Sequence, residues 1–258
     1  METNNKKPEI INAALNGNIE SVKNLVEKGE TKENINLAFM VAVLKGHKNI
    51  IEFLFKNGAD INTKNKDGST VLIYASEKGY KEIVEFLFNN GANIDAKDKK
   101  GFTALMYAVK NDHKDIVEFL VKNGKVTSEN KNLLLIYAAQ WNSKDIVEFL
   151  LNNGADVNTM TENYNTTLMY ASAKGNIDIV KILFHNGVKF NTKNKQGFTA
   201  LILSVQYGHK DIVEFLVNNG ADVNLQDKQG VTALMYSAQY NYKDIVEFLL
   251  KKKHLLIK

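Results

Sequence analysis

A segment of about 33 residues recurs along this chain, and the repetition restricts the fold to a row of similar small units. The pentad Ile-Val-Glu-Phe-Leu, with two close variants, begins at seven positions separated by steps of 33, 33, 30, 33, 33 and 33 residues. These positions are Ile50, Ile83, Ile116, Ile146, Ile179, Ile212 and Ile245. Because each unit of such a row buries its apolar faces against its neighbours, the 258 residues are predicted to form many small cores.

Two further motifs share this period and define each unit as two helices and a loop. A hexad headed by threonine, such as the one from Thr103 to Ala108, predicts a short inner helix, because Thr caps helix starts and the next residues are apolar. The pentad predicts a second helix with Glu on its exposed face. Glycine then ends that helix, since it takes the left-handed cap conformation at no steric cost. The glycines at this position are Gly58, Gly91, Gly124, Gly154, Gly187 and Gly220.

These motifs together resemble the ankyrin-repeat family over nearly the whole chain. The matching features are the Thr-x-Leu-x-x-Ala core of the hexad, the pentad, Gly-His at Gly46 and Gly208, and Gly-Ala-Asp-Val-Asn at 154–158 and 220–224. The sequence departs from the family where Ala, Val or Thr replaces its Pro after the hexad Thr. The resemblance implies an all-α ankyrin-repeat solenoid of stacked helix-turn-helix units with hairpin-like finger loops.

Residues 1–258 are expected to form a single ankyrin-repeat domain of eight helix pairs. The pairs are predicted at about 8–29, 34–58, 67–91, 100–124, 131–154, 164–187, 197–220 and 230–253. Two links depart from the period, so the fingers near 30–36 and 125–133 are predicted to be shortened by about four and three residues. The finger after Asn158 also lacks the Asp-Lys-x-Gly pattern of its neighbours.

Several classes of function lack the residues that they require. The absence of Cys removes disulfides, thiolate metal sites and thiol nucleophiles. All 33 basic residues are Lys, so the net charge of +4 is weak support for nucleic-acid binding, which favours Arg. No phosphate loop, zinc-protease helix or serine-nucleophile motif occurs. His47, His113 and His209 share one repeat position in non-adjacent units, which favours a structural role at a helix start. We therefore expect no enzyme, catalytic residue, cofactor or metal.

The sequence contains no run of about 18 apolar residues, and its polar start shows no signal-peptide pattern. These features predict a monomer without membrane or nucleic-acid partners, located in the cytoplasm, or in the host cytosol if it is an effector. The tail from Lys251 to Ile257 is expected to fold back as a lid on the last unit, with end-to-end association as the alternative.

The resemblance places partner-binding residues on the finger beside the hexad and at the end of the inner helix. Aromatic side chains at those positions are favoured because Trp and Tyr are enriched at interface hot spots. The predicted partner-binding residues are Phe102, Lys110, Trp141, Tyr164, Phe198, Tyr207, Tyr240, Lys99 and Lys100. The tyrosines that recur inside the hexad are instead predicted to pack in the core. They are Tyr74, Tyr107, Tyr137, Tyr170 and Tyr236.

The predicted function is a non-enzymatic protein-protein interaction scaffold that binds a partner on its concave finger and inner-helix surface. Lysines on the fingertips favour an acidic partner. The shortened finger at 125–133 is predicted to leave a notch that exposes Trp141 and Tyr164. Two alternatives remain open at this point: a host-directed effector of an intracellular bacterium or large virus that uses the same surface, and a substrate of an asparagine hydroxylase. The resemblance places that modification at Asn158 and Asn224.

Overall fold

The computed structural model describes residues 8–255, and the side chains of residues 8–252. Over that range the chain forms sixteen α-helices, and none of the described residues belongs to an extended strand. The chain divides into two compact units, Met1–Lys125 and Val126–Lys258. The all-α fold of helix pairs predicted from the repeats is thus confirmed in each unit, while the grouping of all pairs into one domain stays a prediction.

The first unit contains four helix pairs. Its helices are α1 (Glu9–Leu15), α2 (Ile19–Glu27), α3 (Lys32–Lys45), α4 (Lys48–Lys56), α5 (Val71–Lys78), α6 (Lys81–Asn89), α7 (Ala104–Lys110) and α8 (Lys114–Asn123). The odd-numbered inner helices pack one against the next, and each also packs on the outer helix that follows it. Neighbouring pairs within this unit therefore share their cores.

The second unit repeats this arrangement with four further pairs. Its helices are α9 (Ser128–Gln140), α10 (Lys144–Asn152), α11 (Thr167–Ala173), α12 (Ile177–His185), α13 (Ala200–Gln206), α14 (Lys210–Asn218), α15 (Ala233–Gln239) and α16 (Lys243–Leu255). Inner helices again pack in series, as do the outer helices. Five long fingers join pairs within the two units, at residues 57–70, 90–103, 153–166, 186–199 and 219–232.

The helix starts follow the threonine prediction, which is confirmed. In each hexad the Thr side-chain oxygen accepts a hydrogen bond from the backbone N–H three residues later, at 3.2 to 3.3 Å. The capping residues are Thr70, Thr103, Thr166, Thr199 and Thr232. Such a cap stabilises a helix by about 1 kcal/mol, so each hexad specifies where its inner helix begins.

The two predicted short fingers are helical instead, which corrects that prediction. The N-caps Thr31 and Thr127 start α3 and α9 early, so residues 32–36 and 128–133 lengthen the inner helices. Asn36 and Asn132 in these extensions each accept a backbone N–H from the following finger, at 2.8 and 2.7 Å. The missing finger residues are therefore replaced by about one and a half turns of helix that keep the contact to the next finger.

Two details at segment ends also differ from expectation. Gly124 ends α8 in an extended conformation (φ −82°, ψ 145°) and not in the left-handed cap seen at Gly58, Gly91, Gly154, Gly187 and Gly220, because no long finger follows it. The last helix continues through Lys251 to Leu255 without a break, so this part of the tail does not fold back as a lid. The rest of the predicted lid, residues 256–257, lies outside the described residues.

Candidate partner-binding surface

Each finger is anchored by one polar side chain at the same repeat position. In four fingers this side chain is Asn or Asp, and its Oδ1 accepts the backbone N–H groups two and four residues later at 2.8 to 3.0 Å. The anchors are Asn65, Asp98, Asn194 and Asp227. Thr161 takes the place in the remaining finger and accepts only the Asn165 N–H, at 3.2 Å. The fingers are thus ordered loops held by their own side chains.

Three hexad tyrosines bind these anchors, a role that the sequence analysis missed. The Tyr74 hydroxyl accepts a hydrogen bond from Asn65 Nδ2, and the other two tyrosines donate to carboxylates. The Tyr107 hydroxyl donates to Asp98 Oδ2 at 2.8 Å, and the Tyr236 hydroxyl donates to Asp227 Oδ2 at 2.6 Å. Tyr107 is buried, as the packing prediction holds, whereas Tyr236 is half-buried. The constant spacing of nine residues between the acid and the tyrosine is the signal in the sequence that could have revealed this link between finger and inner helix.

These contacts shift the proton affinities of both partners. Burial acts to raise the pKa of Asp98, but hydrogen bonds from the Phe102 N–H, the Tyr107 hydroxyl and the Lys100 N–H outweigh it and hold that pKa below its ordinary value. Burial and the hydrogen bond to Asp98 raise the pKa of Tyr107 to about 12. The carboxylate and the phenol are therefore charged and neutral, respectively, at neutral pH.

Successive fingers are also joined to each other. The Lys99 N–H donates to Asp67 O at 2.9 Å, the Lys195 N–H to Asn163 O at 3.0 Å, and the Lys228 N–H to Gln196 O at 3.1 Å. Asparagine side chains add a second link, because Oδ1 atoms of one finger accept backbone N–H groups of the next at 2.8 to 2.9 Å. These asparagines are Asn62, Asn158 and Asn191. Neighbouring fingers within each unit are therefore joined into a continuous hydrogen-bonded row.

Three predicted aromatic residues occupy one structural position, immediately after the last residue of an inner helix. Trp141 follows α9, Tyr207 follows α13 and Tyr240 follows α15. Trp141 is half-buried and stacks on Tyr137 with ring centroids 5.0 Å apart, whereas Tyr240 stacks on Tyr236 at 6.1 Å. Tyr207 is 61% exposed and Tyr240 is 44% exposed. The second unit thus presents large aromatic surfaces at the ends of its inner helices.

The remaining predicted residues lie on fingers or beside them. Phe102 and Phe198 are half-buried against hexad tyrosines, with ring centroids 5.5 Å from Tyr107 and 6.3 Å from Tyr236. Lys110 is exposed, and its Nζ lies 5.8 Å from the centroid of the Tyr107 ring. These three side chains therefore pack on hexad tyrosines with part of their surface open to solvent.

The geometry does not support a single notch that exposes Trp141 and Tyr164. Residues 128–133 begin α9, whereas Trp141 follows its other end, about 20 Å away along a helix of 13 residues. Tyr164 precedes α11 at a fingertip and is 51% exposed. Trp141 and Tyr164 therefore lie at opposite ends of successive inner helices. The shortened finger is far from Trp141, so it cannot expose both side chains in one notch.

Lys99 and Lys100 are exposed at the tip of the finger at 90–103. The two long fingers of the first unit, at 57–70 and 90–103, also carry the exposed carboxylates of Asp60, Asp67 and Asp95. Positive charge therefore alternates with negative charge in this unit, and any preference for an acidic partner depends on the lysines at the tips.

The three equivalent histidines serve as packing residues at the starts of α4, α8 and α14. His113 Nε2 lies 3.1 Å from Glu77 O, and His209 Nε2 lies 3.2 Å from Ala173 O. Each ring covers a glycine at the end of the inner helix of the preceding pair (Gly17, Gly79 and Gly175), where an added Cβ would lie within 2.9 Å of the ring. Among the residues with described side chains, no three His, Asp or Glu residues converge as a metal-binding group.

The two asparagines predicted as modification sites have different surroundings. Asn158 is half-buried, and its Oδ1 accepts the Lys189 N–H at 2.8 Å. Asn224 is exposed, and its own backbone N–H donates to Asp222 Oδ1 at 2.9 Å. Access to the Asn158 side chain would break a link between fingers, so Asn224 is the better placed of the two.

Comparison with known proteins identifies the repeats. The family model described as ankyrin repeats (3 copies) matches residues 10–98, 90–161 and 168–257, which is nearly the whole chain. None of the curated proteins compared with the chain matches it. Within residues 8–255, no helix is both long enough and apolar enough to cross a lipid bilayer.

Proposed function

We propose, because this chain belongs to the ankyrin-repeat family, that it is a non-enzymatic scaffold that binds a protein partner through its fingers and inner helices. Ankyrin repeats are in general protein-interaction modules, and catalysis is not typical of them. The partner would lie on side chains that project from a rigid backbone, so little conformational entropy would be lost on binding.

One observation carries the proposal: aromatic rings recur at the ends of the inner helices, at a position where the core does not require them. The same position in α11 holds Lys174, which is exposed, so an aromatic residue is not needed for the helix to end. Tyr207 and Tyr240 nevertheless expose 61% and 44% of their surfaces. Rigid aromatic side chains of this kind contribute large contact areas at interfaces.

Replacing Trp141 with Ala is expected to weaken partner binding by about 2 kcal/mol, or roughly 30-fold. The partner is first identified by pull-down with the wild-type chain, and its affinity is then measured by isothermal titration calorimetry. Lys174→Ala, at the equivalent position of α11, is the matched control and should change the affinity less than about threefold. Equal affinities of wild type and Trp141→Ala would contradict the role of this residue.

The lysines at the fingertips are expected to accelerate association with an acidic partner. The association rate should fall as salt rises from low to physiological concentration, because exposed charges are screened over about 8 to 10 Å. The double variant Lys99→Ala/Lys100→Ala should reduce that salt dependence. Lys210→Ala/Lys243→Ala, on the outer helices, should leave it unchanged. An association rate that ignores ionic strength would argue against an acidic partner.

The biological setting of this interaction is also a proposal. A host-directed effector would use the same fingers and inner helices on a host protein, in the host cytosol. A regulator of the cell that makes it would use them on a cytoplasmic partner. Both settings require the same aromatic residues, so the Trp141→Ala experiment applies to either of them.

A further inference from the structure

The finger at 153–166 differs from the other four fingers at three exposed positions. Where they carry Lys or Gln it carries Met160, where they carry Lys it carries Glu162, and where they carry Gly it carries Tyr164. The corresponding residues elsewhere are Lys64, Lys97, Lys193 and Gln226 at the first position, Lys66, Lys99, Lys195 and Lys228 at the second, and Gly68, Gly101, Gly197 and Gly230 at the third. The other fingers thus serve as internal references for this one.

Tyr164 keeps the backbone conformation that the glycines adopt. Its φ is +60°, close to the values of 78° to 85° at the four equivalent glycines. The other non-glycine residues with positive φ among the described residues are Asp112, Asn142 and Asn241, whose short polar side chains tolerate this region. A bulky tyrosine there is strained, and strained residues persist where the surrounding structure holds them, often at functional sites.

The surroundings do hold this fingertip in place. The Tyr164 N–H donates to Thr161 O at 2.8 Å, and Asn163 O accepts the Lys195 N–H at 3.0 Å. Asn165 Oδ1 accepts a hydrogen bond from Asn194 Nδ2 at 2.7 Å. None of these bonds involves the Tyr164 side chain, which is 51% exposed. The tyrosine ring is therefore presented to solvent by a backbone that glycine would serve with less strain.

The exposed side chains of this finger form a small apolar and acidic surface. Met160 exposes 47% of its surface, and the only charges within residues 153–166 are the carboxylates of Asp156 and Glu162. The adjacent finger at 186–199 has the opposite charge, with Lys189, Lys193 and Lys195 and no acidic residue. The Lys195 Nζ lies 5.7 Å from the centroid of the Tyr164 ring, at the border between the two fingers.

We propose that the finger at 153–166 determines which partner this chain binds, an inference that rests on the proposed function. Its ligand is a peptide segment of a partner protein in which an apolar side chain contacts Met160 and Tyr164. A basic residue beside that side chain pairs with Glu162, and acidic residues farther along the segment lie over Lys193 and Lys195. The reversal of charge between the two fingers fixes the direction and register of the bound segment.

The test converts this finger to the pattern of its neighbours. The triple variant Met160→Lys/Glu162→Lys/Tyr164→Gly is compared with wild type, using a displayed library of random peptides of about 12 residues as the probe. Peptides selected on wild type are expected to carry basic and apolar residues at one end and acidic residues at the other. Their synthetic forms should bind the triple variant about tenfold more weakly or worse. Gln226→Lys, which places a lysine at the first of these three positions in another finger, is the control and should preserve affinity.

A thermal melt separates recognition from structure. The melting temperature of the triple variant should equal or exceed that of wild type, because glycine relieves the strain at position 164. A lower melting temperature, or unchanged peptide affinity, would overturn the inference. Peptides that lose affinity with Trp141→Ala but not with the triple variant would overturn it while supporting the proposed function. A library that yields no peptide on wild type would contradict both.

Discussion

Replacing Gly197 with Ala is expected to lower the free energy of unfolding by about 3 kcal/mol. Gly197 has a φ of +85°, a conformation that costs an alanine roughly 1 kcal/mol or more. An added Cβ would also lie 2.8 Å from Lys228 N and 2.9 Å from the Asp227 Cα and carbonyl carbon. These are backbone atoms of the next finger, so the clash is relieved only by moving the two fingers apart.

Gly230→Ala is the matched control for this substitution. Gly230 occupies the same position in the next finger, with a φ of +80°, and an added Cβ there would meet no atom within 4 Å. The control should therefore lose only the conformational part, about 1 kcal/mol. Urea denaturation followed by circular dichroism measures both losses. Amide hydrogen exchange should also show faster exchange of the Lys228 N–H in Gly197→Ala, because its bond to Gln196 O is weakened. Equal losses in the two variants would contradict the steric explanation.

The parts of the fold that could be predicted are those whose cause lies within a few residues. Thr103 caps α7 through the N–H three residues later, and the spacing of the pentad places its apolar residues on one face. The shortened repeat could be recognised by counting, but counting does not tell which structure the remaining residues adopt. Residues 128–133 became helix because Thr127 caps the helix start and Glu129 places a negative charge in the first turn, where the helix dipole favours it.

The candidate surface was less predictable because its properties depend on contacts between segments. The stacking of Trp141 on Tyr137 and the exposure of Tyr207 required the packed structure. The bond from Tyr107 to Asp98 joins a helix to a finger, and each residue alone is explained by a simpler role. The strain at Tyr164 could have been predicted, because an alignment of the fingers puts Tyr164 at a position that is glycine in the other four. Its exposure could not be predicted from the sequence.

Removing the finger anchor at Asp98 is the second change with a large expected effect. Asp98→Ala leaves the N–H groups of Lys100 and Phe102 and the hydroxyl of Tyr107 without their acceptor, and should lower the free energy of unfolding by about 3 kcal/mol. Asp98→Asn is the matched control, because Asn65 and Asn194 hold the same position in other fingers. It keeps the Oδ1 acceptor and should cost about 1 kcal/mol, for the weaker bond to the tyrosine.

The pH dependence of the unfolding free energy separates the effect of the Asp98 charge from that of a neutral side chain of the same shape. The folded pKa of Asp98 lies below its ordinary value, so its contribution is fully present above the unfolded pKa of about 3.9 and is lost as pH falls through the folded pKa. The difference in unfolding free energy between wild type and Asp98→Asn should therefore shrink in acid. Tyr107 acts at the other limit: its stabilising contribution is complete below about pH 10 and is lost as pH rises through about 12. Denaturation curves recorded from pH 2 to pH 7 that stay parallel for the two proteins would show that the charge of Asp98 does not stabilise the finger.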